Sequence, residues 1–172
     1  MREESSIAVR VQRVLTTAGI DFEVIPCEPD LADTATFCAH YGVDPQDAAN
    51  CIVVAGKGDP RRHCAAVVLA TTRLDVNDRV CALMGVRRAS FASADETREL
   101  TGMLIGGVTP FALPAGLPLY VDEAVMTRAR IVVGGGDRSS KLRLAPEALT
   151  RLGGQVISGL ARRPGPPNSA NL

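Results

Sequence analysis

Two unbroken apolar runs constrain the fold most. "CIVVAG" covers 51–56 and "CAAVVLA" covers 64–70, and neither alternates polar with apolar residues. A strand with one wet face alternates, whereas a strand that is apolar throughout is covered on both faces. The runs are joined by "KGDPRRH", whose Gly-Asp-Pro order is turn chemistry, so they read as a hairpin. A hairpin buried on both faces needs other elements above and below it.

The remaining segments supply them. Ile7, Val11, Val14 and Leu15 line one face of a helix over 5–18, with Ser5 or Ser6 as its cap and Gly19 as its stop. "DFEVIPC" alternates and reads as a strand. Thr34 caps a short helix over 35–41, stopped by Gly42, and Asp44-Pro45 opens a further helical turn toward Asn50. Asp75 caps a helix carrying Val76, Val80, Leu83 and Met84 and ending at Gly85. "RRASFA" is a short strand. "SADE" at 93–96 is a capping box, reciprocal between Ser93 and Glu96, and its helix runs to Gly102. "PLYVDE", "RIVVGG" and "SKLRLAP" are strands, with a short turn or helix at 123–129 and a last helix over 146–152. Helices interrupt the strands and hairpins also occur. The order fits one α/β (α+β) domain over 1–161 around a curved mixed sheet, partly barrel-like, flanked by short helices, and not a doubly wound fold. "RRPGPPNSANL" at 162–172 reads as a disordered tail.

With 172 residues, the chain suits one domain with a real core, and that core must be aliphatic because aromatics make up only 3%. No run approaches the ~18 apolar residues of a membrane span, and "MREESSIAVRVQRVL" lacks the basic-then-apolar order of a secretory leader, so a cytoplasmic protein without a membrane partner is expected. The five cysteines form no CxxC; Cys51, Cys64 and Cys81 lie in apolar segments and read as reduced core thiols. A zinc site from Cys38, His40 and a distant cysteine lacks ligand spacing, so no metal or cofactor is expected. Net charge is zero but uneven: residues 1–50 hold nine acids and three bases, whereas the remainder holds ten and sixteen. That excess is scatter over wet faces, or one face suited to a polyanion. Arg61-Arg62 and Arg87-Arg88 are either contacts for such a polyanion or ordinary solubilising pairs on a turn and an edge strand. His40 and His63 read as ordinary surface or edge residues, and no Ser-His-Asp arrangement is evident.

One segment does not fit a surface loop or a strand. "TGMLIGGVTPFALP", 101–114, has three glycines and two prolines in an otherwise apolar stretch. Gly106-Gly107 can bring bare backbone close to a ligand, and adjacent amides there can form an oxyanion-stabilising nest. Val108, Thr109 and Pro110 would stiffen the wall. The same residues would also serve a tight turn with no ligand.

"TGMLIGGVTPFALPAGLPLYVDE" resembles the signature of the YbaK/prolyl-tRNA synthetase-associated domain family, a Thr-Gly, a Gly-Gly-Val-(Ser/Thr)-Pro loop, a Gly-x-Pro and a strand ending in Asp. "TATFCAHYGVDPQDAANCIVV", "LDVNDRVCALMGVRRASFASADETRELTG" and "VVGGGDRSSKLRLAPEALTRL" extend it, in order, over roughly 7–155. The resemblance implies a compact α/β domain that hydrolyses, in trans and without metal, the ester joining a wrong small amino acid to its tRNA. A synthetase is an implied possible partner. Backbone amides and the terminal ribose hydroxyl would help water attack the carbonyl. The alternative is a binding module of the same fold that has lost hydrolysis.

The alternative arises because this chain departs from the best-known members twice. Asn50 stands where they carry a lysine before the first core strand, and Lys141 stands where they carry an aspartate in the closing turn. Lys141 either supplies the ammonium from across the pocket, with Asn50 bonded to it or to substrate, or is a surface residue of an alternating strand. Further candidates are Thr34, Thr109 as a hydroxyl donor, Gly135, and Arg138 as a phosphate contact. Asp122 either orients the glycine loop or caps the next helix.

Overall fold

The computed structural model describes residues 6–163. The chain opens with helix α1 (Ile7–Thr17) and strand β1 (Phe22–Pro26), then helix α2 (Thr34–Tyr41) and the hairpin β2 (Ala49–Gly56) and β3 (His63–Leu69). β4 (Arg73–Leu74) precedes a π-turn over Val76–Val80 that continues as α3 (Cys81–Met84). β5 (Ala89–Phe91), α4 (Ala94–Thr101), β6 (Leu119–Asp122), β7 (Ile131–Gly134), β8 (Ser140–Leu144) and α5 (Glu147–Arg151) follow. The short strands β9 (Gln155–Ile157) and β10 (Ala161–Arg162) complete it.

The expected hairpin is the centre of a five-stranded sheet in the order β5-β2-β3-β6-β9, antiparallel from β5 to β3 and parallel from β3 to β9. Its apolar runs are explained by two cores. Cys51, Val53, Ala55, Ala65 and Val67 face a core shared with α1, β7 and β8, while Val54, Cys64, Ala66 and Val68 face a second core with Val80, Met84 and Leu160. Both faces of the hairpin are therefore largely covered, which is why neither run alternates polar with apolar residues.

The single mixed sheet expected from the sequence is divided. β1, β8 and β7 form a separate antiparallel sheet, and β4 pairs with β10. One parallel bridge, Ala48 to Val132, links the start of β2 to β7. The described strands do not close into a barrel. The β4, β9 and β10 pieces, two or three residues each, are too short to leave a periodic pattern.

Three local expectations are corrected. Asp33, not Thr34, occupies the N-cap position of α2, and the Thr34 hydroxyl turns elsewhere. The Ser93 hydroxyl accepts from the Glu96 N–H at 3.1 Å, but the Glu96 carboxylate goes to Arg61 and His63 rather than back to the cap. Ordered structure reaches Arg162, which pairs with Arg73, because the Asp122 carboxylate holds the Ala161 N–H at 3.1 Å. The rest of the expected tail, from 164 onward, lies outside the described residues. The five cysteines are free and buried, and no cluster of His, Cys, Asp or Glu among the described residues could hold a metal ion.

Candidate active site

Five parts of the fold converge on a cleft of about 520 Å³. The first turn of α2 brings Asp33, Thr34 and Phe37. The first half of β2 brings Asn50 to Val53. Phe91, Ala92 and Thr97 come from β5 and α4, Ile105, Gly106 and Val108 from the glycine loop, and Gly134 and Lys141 from β7 and β8. The walls are mostly aliphatic and aromatic. The polar groups are few and convergent, as in small-molecule sites generally.

Lys141 is the centre of the polar set. β8 pairs it with Ile25 of β1 and Gly134 of β7, and its side chain enters the cleft with only 6% exposed. The Nζ donates to the Gly106 carbonyl at 2.6 Å and lies 5.6 Å from the centre of the Phe37 ring. Burial pushes the lysine below its ordinary range; Cys27, Asp33 and Cys38 oppose that shift and Arg138 adds to it. An ammonium carries three donors, so one bond to Gly106 leaves two for a ligand. Of the two readings left open for Lys141, the surface one does not hold, because the β1-β8-β7 sheet presents that strand face to the cleft at its Lys141 end.

Asn50 makes no hydrogen bond with Lys141 among the described residues. Its Oδ1 accepts the Thr34 hydroxyl at 2.6 Å, which leaves the Asn50 amide nitrogen without a hydrogen bond among the described residues. Thr34 and Asn50 also line a second cleft, of about 430 Å³, with Cys38, Val43 and Ala70. The threonine therefore positions the asparagine between two open spaces.

The two glycines of the loop have different work. Gly106 sits at φ +91° and lines the cleft, and a Cβ there would lie 2.1 Å from Arg138 Nη1. Gly107 does not line the cleft. Its N–H is spent on the Leu104 carbonyl at 2.8 Å, its carbonyl accepts from Gly136 at 2.6 Å, and a Cβ would lie 1.9 Å from the Asp137 oxygen. Gly107 lets two turns touch. The expected nest of paired amides thus reduces to the single amide of Gly106.

Other sequence candidates fall outside the cleft. Arg138 is a clamp: its Nε bonds the Pro29 carbonyl at 2.9 Å, and its Nη1 reaches Asp33 Oδ1 at 3.1 Å and the Ile105 carbonyl at 2.8 Å. It holds the loop against the start of α2. Thr109 and Pro110 are buried behind the loop, and the Thr109 hydroxyl has no partner among the described residues. Gly135 packs against Ser140. Asp122 accepts from Ala124 at 3.3 Å and from Ala161, so it is a cap and a strap, not a support for the glycine loop. Phe37, Phe91, Asp33 and Thr97 line the cleft without having been singled out. Phe37 is one helical turn beyond Thr34 and could have been found from that spacing; Phe91 carried only the signal of a bulky apolar residue between Ser90 and Ala92.

The comparisons agree with this geometry. Residues 28–152 match the model of the aminoacyl-tRNA editing domain family. The chain is 28% identical over 120 residues, 69% of its length and 71% of the relative's, to the multifunctional Ser/Thr-tRNA deacylase ProXp-y of Escherichia coli strain K12. It is 26% identical over 95 residues to the Enterococcus faecalis protein named "Putative Cys-tRNA(Pro)/Cys-tRNA(Cys) deacylase EbsC", a match spanning 55% of this chain and 57% of that protein. Its fold superposes with a TM-score of 0.76 on the crystal structure of "a putative trans-editing enzyme for prolyl tRNA synthetase", at 28% identity over 91% of this chain and 98% of that one. With a matched segment that begins just before the Asp33 turn and ends after α5, and so contains the whole cleft, the chain belongs to the aminoacyl-tRNA editing domain family.

Proposed function

We propose that the protein is a trans-acting aminoacyl-tRNA deacylase that hydrolyses the ester of a mischarged tRNA bearing a small amino acid. The observation that carries this reading is the desolvated Lys141 ammonium, held on the Gly106 carbonyl inside an apolar cleft. An aminoacyl ester is already activated. Positioning plus stabilisation of the developing oxyanion is then sufficient chemistry, and no nucleophilic side chain is required.

In this reading the acyl group lies against Phe37, Val53 and Val108. The two remaining Lys141 donors and the Asn50 amide face the carbonyl oxygen as water adds to it, and the ester oxygen departs as the ribose hydroxyl. Lys141 takes the place of the cation lost at position 50, and its burial favours hydrolysis over bare binding. The apolar lining and the relatives' printed Ser/Thr-tRNA and Cys-tRNA activities favour Ser, Thr, Cys or Ala as the acyl group. The protein would act in the cytoplasm, with a synthetase helping to select the tRNA.

The test is single-turnover deacylation of tRNAs charged with Ala, Ser, Thr, Cys and Pro. Hydrolysis of at least one mischarged species, well above the spontaneous rate, is expected. Hydrolysis of none would refute the reading and leave a binding module.

A further inference from the structure

Phe91 is the most exposed large apolar side chain of the described residues, at 56%, and it lines the cleft. Ile105, 48% exposed, lines it too, so two bare apolar side chains stand at its rim. Lone exposed apolar residues need no explanation, but a pair at the rim of one cleft does. Phe91 also ends β5, the free edge of the five-stranded sheet.

The other end of that edge is cationic. Arg87 and Arg88 precede β5, and the Arg88 carbonyl accepts the Lys57 N–H at 2.8 Å, which sets Lys57 beside them. All three are exposed and make no ion pair among the described residues. The neighbouring cations are engaged: Arg61 is bonded to Glu96, and Arg62 donates to the Met84 carbonyl at 3.1 Å. Three residue steps of extended chain lead from Arg88 to Phe91, about 10 Å. A line of free cations leading to an exposed aromatic ring is the arrangement that binds single-stranded nucleic acid: phosphates on the cations, a base stacked on the ring.

We infer that the β5 edge docks the single-stranded 3′ end of the RNA, with Phe91 stacking a base at the cleft rim and Lys57, Arg87 and Arg88 contacting the phosphates behind it. The inference rests on the deacylase reading for its choice of RNA, but its test does not. Stacking is sequence-tolerant and fixes the depth to which the strand enters. The ester would then meet Lys141 only when the terminal base is seated.

The experiment is fluorescence anisotropy with an uncharged acceptor-stem minihelix ending in a single-stranded 3′ CCA, and with the same minihelix trimmed to a blunt duplex. Phe91→Ala is expected to weaken binding of the tailed RNA about tenfold, Phe91→Trp to preserve it, and neither to alter binding of the blunt one. The triple change Lys57→Gln, Arg87→Gln, Arg88→Gln should reduce the salt slope by about 2, and Arg13→Gln on α1 should not. Unchanged affinity in Phe91→Ala overturns the inference. So does an unchanged slope in the triple variant, or no wild-type binding at about 100 μM, the weak end of non-specific affinity. A loss of self-association in Phe91→Ala with RNA binding intact would assign the edge to a second copy of the chain instead. Because the RNA is uncharged, a failed deacylation assay leaves this result standing, and a failed binding result leaves deacylation standing.

Discussion

Replacing Lys141 with methionine separates catalysis from stability, because the two are expected to move in opposite directions. The change keeps the stem and removes the ammonium. Lost is one charge-assisted hydrogen bond to the Gly106 carbonyl, about 1.5–3 kcal/mol. Recovered is the desolvation of a side chain only 6% exposed, which amounts to several kcal/mol for a buried ion. Stability should therefore stay within about 1–2 kcal/mol of the parent and tend upward. Hydrolysis, if the proposed role of Lys141 as oxyanion donor holds, should fall by about 10²–10³-fold. Thermal melts and single-turnover deacylation read the two effects. pH supplies a second signature. Burial holds the folded-state lysine below 10.5, so the unfolded chain binds that proton more tightly. Parent stability then rises with pH between the lowered value and 10.5, while the catalysed rate, relative to spontaneous hydrolysis, falls as the ammonium is lost at the start of that interval. The methionine variant should show neither trend. A lower melting temperature with activity within about threefold of the parent would refute the reasoning and make Lys141 a clamp for the loop.

Three further outcomes are expected. Gly107→Ala should cost about 3 kcal/mol in urea denaturation, since its Cβ would lie 1.9 Å from backbone oxygen that cannot swing away; a loss below about 1 kcal/mol would mean that the two turns can separate. Asp122→Ala frees two backbone donors and should destabilise by about 1–3 kcal/mol, with the rate per folded molecule unchanged; a rate defect at full folding would return Asp122 to the site. Glu96 is held at about 2 by Arg61 and then His63, so its contribution is complete above the ordinary 4.5 and lost as pH falls from there toward 2. Glu96→Gln should flatten the acid limb of stability over that window, as followed by circular dichroism.

The sequence determined the elements that repeat or punctuate. The doubly apolar runs at 51–56 and 64–70 required a hairpin covered on both faces, and the two cores supply that cover. The four quoted stretches, taken together in their order over roughly 7–155, pointed to the family, because their glycines, prolines and strand ends are dictated by backbone geometry, which sequence records directly. Which side chains meet was decided by tertiary structure. Whether Lys141 faces water or the cleft depends on how the β1-β8-β7 sheet leans on the start of β2, a relation set by their shared core and by the bridge between Ala48 and Val132. Gly106 and Gly107 read alike in sequence and differ in the fold, one bordering the cleft and the other pressed against Asp137. Arg138 read as a phosphate contact and Asp122 as either a support for the glycine loop or a helix cap; in the fold Arg138 holds carbonyls and Asp122 caps and straps amides, and those groups come from segments up to about a hundred residues away. Strand periodicity fixes which side chains share a face. It carries no information on what that face is packed against.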